Sequence, residues 1–441
     1  MPSAGATWSL IDSVVQAALS LGIFLILARL LPIDVVGLGI LCISIYQIAN
    51  LPVDTLFHDA VIQRDNIATE DIVSAFSGAL MIGALSAALL FLFTVLFSDR
   101  LSEAQILPVM GALAIAILAN AVATVPLALS RRALDFKRIA LVQGFARLTA
   151  NVVAALMALN DFGVWTFAAQ QTIGSILIAL ILAFEARLWA FRDFRYASMV
   201  SLLKFGVFST LSSFIWMASF RAFFVFVGYF FGNSSLAYLG VAQRIVDTPR
   251  DVLSLAIGRY GLATLSRQQN SASSFAGEYF KQTNLFTLAT LPLFCILIIF
   301  PDVLVRYLIG ERWLPSVPSV QLLALAALVH FHSFLVPIAI NALGRPGLTA
   351  RVSLHATLAT IGLMLTIGTQ SYFHAMLAWV GRSVLGYIGT AYSLSRISNV
   401  RLGLHLRSIG RSLILVVLSL GVMWGIRWAF VQLFLIWTQT Q

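Results

Sequence analysis

"GVAQRIVDTPRDVLSLAIG" (240–258) sets four charges, Arg244, Asp247, Arg250 and Asp251, and one proline, Pro249, into a stretch otherwise apolar enough to cross a bilayer. Each such charge costs about 2.5–3.5 kcal/mol at the centre of a lipid-spanning helix. Either the segment is not a span, or its charges face something other than hydrocarbon. The rest of the chain decides. Of 441 residues, 60% are hydrophobic and only 10% charged, against about 25% charged in a soluble domain. Most of this chain cannot face water, and the composition predicts an all-α polytopic membrane protein.

Apolar stretches of about 20 residues, broken by polar turns, mark the expected spans. Six fall at 7–31, 35–56, 72–98, 107–129, 139–160 and 163–185, and six more at 204–231, 235–258, 283–300, 316–341, 350–369 and 372–395. A last stretch, 412–438, reads as one long helix or as a tight hairpin broken at Arg427. The start, "MPSAGATWSLIDSVVQ", lacks the basic region and small-residue cleavage site of a signal peptide, and reads as the beginning of the first span. The division expected is an N-terminal six-helix lobe (1–185), a cytoplasmic interfacial linker (186–203), a C-terminal six-helix lobe (204–395), and a loop with additional C-terminal membrane helix or hairpin (396–441).

The basic residues test this map. With the N-terminus cytoplasmic, eighteen of the 28 Lys and Arg fall in inside loops, three (Arg100, Arg306, Arg312) in outside loops, and seven in spans. That asymmetry follows the positive-inside rule and accounts for most of the +10 formal charge without a nucleic acid. The linker "EARLWAFRDFRYASMVSLL" (185–203) interleaves arginines with aromatics, as an interfacial helix on an anionic leaflet does. A second long inside segment, 259–282, reads as a polar loop with some helix. The outside loops are short, which leaves no room for an extracytoplasmic catalytic domain.

Turns repeat at a spacing near 200. "LLPIDVVGLG" (30–39) parallels "FGNSSLAYLG" (231–240), and "LFSDRLSEAQILP" (96–108) parallels "LIGERWLPSVP" (308–318). Six spans is an even number, so the two halves would share one orientation about an axis along the membrane normal, with a transport site between lobes near the midplane.

The seven arginines in spans are Arg29, Arg147, Arg221, Arg244, Arg250, Arg382 and Arg427. At 1.5 Å per residue, Arg147, Arg244 and Arg382 come near mid-depth, Arg221 nearer the outer leaflet and Arg250 nearer the inner one. Arg29 lies near a helix end and can snorkel. Acids are fewer: Asp12, Asp54, Asp247 and Asp251. Arg244, Asp247 and Asp251 share a helix face and can partly neutralise one another. A surplus of guanidinium groups in a wet cavity suits a phosphate or pyrophosphate, whose oxygens match the arginine fork. Arg147, Arg221, Arg244, Arg250 and Arg382 are therefore the candidate substrate-binding residues. Asp247 is the candidate for ion coupling or for orienting the arginines, and Pro249 for a flexing point. Asn151, Gln170 and Gln171 read as helix–helix hydrogen-bonding groups. His330 and His332 are two apart, on different helix faces, which argues against a shared metal. Cys42 and Cys295 lie in apolar segments and read as reduced packing residues. No phosphate-binding loop, nucleophile elbow, cysteine cluster or catalytic carboxylate pair is present, so no cofactor, metal or enzymatic activity is expected.

The stretch "ARLLPIDVVGLGILCISIYQIANLPVDTLFHDAVIQRDNIATEDIVSAF" (28–76) resembles the bacterial polysaccharide transporter family, lipid-linked oligosaccharide flippases of the multidrug/oligosaccharidyl-lipid/polysaccharide exporter superfamily. "LSRRALDFKRIALVQ" (129–143), "GYFFGNSSLAYLGVAQRIVDTP" (228–249), "GRYGLATLSRQQ" (258–269), "LIGERWLPSVPSVQLLAL" (308–325) and "ALGRPGLT" (342–349) agree in order. The resemblance implies two six-helix lobes around a cationic central cavity. It also implies movement of an undecaprenyl-diphosphate-linked glycan across the bacterial inner membrane by alternating access, for exopolysaccharide, capsule or O-antigen assembly. The implied partners are that glycolipid, membrane lipids and, as a candidate, polysaccharide polymerase machinery. Relatives commonly carry an Asp in span 7 just before an "IG" pair; here the region reads "RAFFVFVG", with Arg221 its only charge, so no coupling acid carries over there. The rivals are a drug or small-cation antiporter of the same superfamily, which wants an acidic cavity, and a polytopic polysaccharide polymerase or ligase, which wants a large outer loop. A non-transporting scaffold leaves the arginines unexplained.

Overall fold

The computed structural model describes residues 4–64, 66–101, 105–186, 194–268, 272–398, 400 and 402–439. These residues fold into two compact units, Met1–Ala237 and Tyr238–Gln441. Ten helical stretches among them are long and apolar enough to cross a membrane. Their backbone polar groups are satisfied within the helix, the condition for crossing hydrocarbon.

The first unit is built from α1 (Ala4–Leu30), α2 (Ile33–Gln63), α3 (Thr69–Leu101), α4 (Ile106–Arg132), α5 (Phe136–Leu159), α6 (Trp165–Ala186) and the first part of α7 (Tyr196–Arg267). α4 is central: it packs on α2, α3 and α6, while α5 packs on α6 and α1. Leu56, Phe57, Val61, Phe76, Val125, Met199 and Leu202 share one core, so α2, α3, α4 and the start of α7 are sealed together. On the opposite side of α3, Met81, Leu85, Leu89, Leu92 and Leu96 form an exposed stripe at helical spacing, the pattern of a lipid-facing helix.

Short polar contacts fasten the ends. Asp135 caps α5 by accepting from the Arg138 backbone N–H at 3.2 Å. Arg132 donates to the Val61 and Arg64 carbonyls, which closes the C-terminal end of α2. The linker expected over 186–203 lies partly outside the described residues, at 187–193. Past that gap, Arg195 pairs with Glu70 at 2.8 Å, its backbone N–H donates to Ser74, and Ser198 donates to Asp71. The linker's end is therefore tied to the start of α3.

The break expected between spans 7 and 8 occurs at Gly232, where φ is 80° and ψ 172° inside α7. Glycine takes that conformation without the Cβ strain other residues carry. Span counting began the second half at 204; by packing, the chain before this break belongs with the first unit. At Gly206 a Cβ would sit 1.9 Å from the Leu56 carbonyl oxygen, so α7 and α2 touch backbone to backbone. The segment expected as a polar loop at 259–282 is largely helical: α7 runs to Arg267, and α8 (Ala272–Ile299) starts soon after. Pro249 sits inside α7 without ending it.

The second unit continues with the short α9 (Pro301–Leu308), then α10 (Val317–Ser333), α11 (Leu335–Ala342), α12 (Pro346–Leu363), α13 (Tyr372–Ile397) and α14 (Leu402–Gln439). α8 packs on α10 and α14, and α13 on α10 and α12. Trp313 is fully buried and meets the Tyr238 ring edge-on at 6.2 Å. Of the two readings of the C-terminal stretch, the structure shows the single helix: α14 runs unbroken through Arg427. That residue forks onto the Asp302 carboxylate at 2.9 and 2.8 Å and also reaches the Ile299 carbonyl, so its charge is met without a turn.

Two consequences are measurable by thermal unfolding of detergent-purified protein. Gly206→Val forces α7 off α2 and is expected to destabilise by about 1–3 kcal/mol, seen as a lowered midpoint; an unchanged midpoint contradicts the close approach. A double-mutant cycle on Arg427→Gln and Asp302→Asn is expected to give a coupling of about 1 kcal/mol; additive effects contradict the fork.

Candidate functional site

In the first unit a polar ladder climbs one side of α2. Tyr46, Asn50, Asp54 and His58 follow one another at intervals of four, so they lie in one row along a helix. Asn120 on α4 donates to the Tyr46 hydroxyl at 2.8 Å and to Asn50 Oδ1 at 3.1 Å. Gln171 on α6 donates to the same hydroxyl at 3.0 Å. Asn50 in turn donates to Asp54 Oδ2 at 2.7 Å. One step further, His58 meets Asp59 at 3.0 Å and Arg131 at 3.2 Å. Three helices thus converge on Tyr46, and the amides hand its polarity on to a carboxylate.

Two other amide pairs lie in this unit. Gln170 donates to Asn151 Oδ1 at 2.8 Å, joining α6 to α5, and Gln16 donates to Gln143 at 3.0 Å, joining α1 to α5. Gln170 and Asn151 hold helices together, as read from their positions. Gln171 does so too, joining α6 to α2 through the ladder.

The structure places the predicted arginines in different settings. Arg147 is exposed on α5. Arg221 on α7 lies over the rings of Phe220 and Phe224, 5.5 and 5.9 Å from their centroids. These two belong to the first unit; Arg244, Arg250 and Arg382 belong to the second. Arg250 is clamped between two carboxylates, with Asp247 at 2.7 Å and Asp251 at 3.0 Å. Arg244 is exposed, one turn away, and feels the field of the same two acids. The charges of the 240–258 stretch therefore form one cluster, as their spacing implied, but both acids bond Arg250. Pro249 adjoins that clamp.

Arg382 differs from the others. Its guanidinium lies 5.0 Å from the centroid of the Trp379 ring, an i, i+3 neighbour on α13, and it has no carboxylate partner among the described residues. A cation on an indole face keeps its in-plane N–H donors available for an anion. Among the described residues no group of three or more His, Cys, Asp or Glu is placed to hold a metal ion. His330 packs on Phe331 and Phe334, while His332 packs on Tyr387, consistent with different helix faces.

The α2 ladder was missed in the sequence, though its four-residue spacing was a signal. What completes it, Asn120 and Gln171, comes from helices 70 or more residues away.

Comparison with known proteins agrees with this architecture. Residues 26–318 match the family described as Polysaccharide biosynthesis protein. The lipopolysaccharide biosynthesis protein WzxC of Escherichia coli (strain K12) is 22% identical over 74% of this chain and 66% of its own length. The teichuronic acid biosynthesis protein TuaB of Bacillus subtilis (strain 168) is 21% identical over 92% of this chain and 84% of its own. Among solved structures, the lipid II flippase MurJ in an inward closed conformation superposes with a TM-score of 0.73 at 14% identity, covering 98% of this chain and 100% of that one. The last likeness shows a shared fold, all-helical and multi-pass. With two thirds of its length matched, this chain belongs to the polysaccharide biosynthesis protein family.

Proposed function

We propose that this protein is a flippase that carries a polyprenyl (undecaprenyl)-diphosphate-linked oligosaccharide across the bacterial inner membrane, feeding exopolysaccharide, capsule or O-antigen assembly. It makes and breaks no covalent bond in the process; it is a transporter working by alternating access, with its N-terminus cytoplasmic. Family membership supports the substrate class, and Arg382 is the observation that carries the recognition chemistry. A guanidinium in the middle of a 26-residue helix, seated on Trp379 and without a carboxylate partner among the described residues, is arranged for an anionic ligand. A diphosphate supplies oxygens in the geometry that the arginine fork accepts.

The remaining predicted residues take graded roles. Arg147 and Arg221 in the first unit, and Arg244 in the second, offer further donors to phosphate oxygens during passage, and Arg250 does so when its clamp opens. Asp247 holds one side of Arg250 at 2.7 Å, so protonating or removing that carboxylate would leave Arg250 held by Asp251 alone and free one of its N–H donors. Pro249 removes one backbone donor beside this clamp, which makes the helix easier to bend there. The polyprenyl tail remains in lipid, and only the headgroup requires a polar path.

One observation favours a rival. Asp54, held by Asn50, gives the first unit an acid of the kind a small-cation antiporter would use. The two readings separate in one experiment, complementation of a strain that lacks its own flippase. Surface polysaccharide and the lipid-linked intermediate on the cytoplasmic side are scored at matched membrane levels. Wild type is expected to restore polymer. Arg382→Ala is expected to lower it about tenfold or more, as follows from losing charge-assisted hydrogen bonds worth about 1.5–3 kcal/mol, with intermediate accumulating. Arg382→Lys is expected to retain part of the activity, because it keeps the charge and loses the fork. The same comparison is made for Arg147→Ala and Arg244→Ala. Full activity in all three alanine variants contradicts the arginine assignment. Resistance to cationic drugs without restored polymer favours the antiporter.

A further inference from the structure

The second unit contains a buried polar cluster that the arginine chemistry does not use. His332 on α10 is 7% exposed, His405 on α14 is 2% exposed, and Tyr387 on α13 stands between them at 8%. The His332 ring meets the Tyr387 ring edge-on at 5.5 Å. The Tyr387 hydroxyl lies 3.4 Å from His405 Nδ1. His332 Nδ1 lies 3.1 Å from the Ser412 hydroxyl on α14 and 3.4 Å from the Thr287 hydroxyl on α8. The fully buried Tyr279 ring of α8 packs against His405 at 5.5 Å, tilted by 59°.

Three polar atoms of this cluster, His332 Nε2, His405 Nε2 and the Tyr279 hydroxyl oxygen, are buried and have no hydrogen-bond partner among the described residues. Buried polar groups are ordinarily bonded, and each orphan is unfavourable. Three in one cluster is more than packing requires, since a Leu, Phe or Met would fill the same space without a polar atom to satisfy. The ionisable groups around the two imidazoles are Tyr279 on α8, Tyr387 on α13, and each other. Glu278 on α8 is occupied by Gln282 at 2.8 Å and by Lys281 at 4.0 Å. His330 on α10 is turned to Phe331 and Phe334. Arg407 and Arg411 on α14 are exposed, away from the buried face. Neither imidazole has a carboxylate partner among the described residues, so neither is locked in its charged form.

The cluster also holds α14 in place. Only 6% of this helix's membrane-length segment is buried, yet its buried polar residues His405, Ser408 and Ser412 follow at helical spacing on one face. Ser408 donates to Asn284 of α8 at 3.2 Å, and Ser412 contacts His332. His405 lies in the first turn of α14, and Ser412 lies about 10 Å further along it. A polar line therefore runs inward from that helix end.

We propose that His332, Tyr387 and His405 form a proton-binding site within the second unit, and that its occupancy sets how firmly α14 is held against α8 and α10. A neutral imidazole can accept a hydrogen bond at one nitrogen; an imidazolium can only donate. Where Nδ1 is the accepting nitrogen of the neutral ring, taking up a proton there turns the hydroxyl that donates to it, Ser412 or Thr287 at His332 and Tyr387 at His405, from donor to acceptor. Charging one ring opposes charging the other, so the pair behaves as a single site that binds one proton at a time. The role in transport rests on the flippase reading, with the proton as the ion that works the cycle; the existence of the site does not.

The chain has six histidines, so 15N-histidine labelling of the full-length protein in lipid bilayers resolves the imidazoles. Their protonation is followed by solid-state NMR over about pH 4–9. His332→Gln and His405→Gln assign the two signals, and Tyr387→Phe and Ser412→Ala preserve shape where a glutamine would not fold. The expected result is that removing one imidazole moves the other's midpoint by about one pH unit. Hydrogen exchange along 402–420 of the wild type should rise on acidification, and Tyr387→Phe and Ser412→Ala should flatten that response. Independent titration of the two rings, no titration in this range, or exchange in α14 unmoved by pH overturns the proposal. Flipping is assayed in the same bilayers. Absence of flipping in wild type defeats the functional reading and leaves the titration to decide the site. Flipping whose pH dependence survives His332→Gln, His405→Gln and Tyr387→Phe alike removes the proton site from the transport cycle.

Discussion

A guanidinium within a membrane-length helix must be met by something other than hydrocarbon, and much of this structure follows from what meets each one. Arg250 has two carboxylates, Arg427 has Asp302 and a backbone carbonyl, Arg221 has two phenylalanine rings, and Arg382 has one indole. The partners differ in what they leave over. A bidentate carboxylate uses up the fork and fixes a helix in place. An aromatic face steadies the cation while its in-plane donors stay available. The arginines of one chain are thereby distinguished by what their neighbours leave over, since hydropathy alone treats all of them as equally unfavourable.

The same constraint applies to uncharged polar groups. In the first unit Tyr46, Asn50 and Asp54 are reached by Asn120 and Gln171, so three helices are joined through amides and a phenol. In the second unit a comparable junction is made of histidines, a tyrosine and hydroxyls, and it binds a helix whose other faces are apolar and exposed. The amide junction is nearly saturated with hydrogen bonds. The histidine junction is not: His332 Nε2, His405 Nε2 and the Tyr279 hydroxyl have no hydrogen-bond partner among the described residues.

The helical architecture was largely legible in the sequence, because spans are set by length and hydropathy and those are local properties. The structure adds what ends these spans: Gly232 at positive φ in "FGNSS", and Asp135 capping the helix that begins "FKRI". Long-range packing was not legible. Nothing local says that Gly206 touches the backbone of Leu56, which draws the start of α7 into the first unit although span counting assigned it to the second half. The segment 259–282 looked like a loop because its composition is polar, but most of it is helix. Among the candidate residues, spacing was read as setting Arg244 against Asp247 and Asp251, whereas both acids bond Arg250, and the indole beneath Arg382 was one turn away and unremarked. The histidine cluster was invisible: His332 and Ser412 are 80 residues apart, and reading "LVHFHSF" for a shared metal asked the wrong question of it.

The most direct test of the account is translocation by the purified full-length protein in proteoliposomes. A polyprenyl-diphosphate-linked oligosaccharide bearing a fluorescent sugar is placed in one leaflet, and its arrival in the other is read by an impermeant quencher. The account predicts protein-dependent transfer that is saturable by unlabelled glycolipid and by its diphosphate headgroup, and that is insensitive to a monophosphate carrier of the same chain length. Transfer equal to that of empty liposomes, across glycans drawn from the organism that makes the protein, would contradict it.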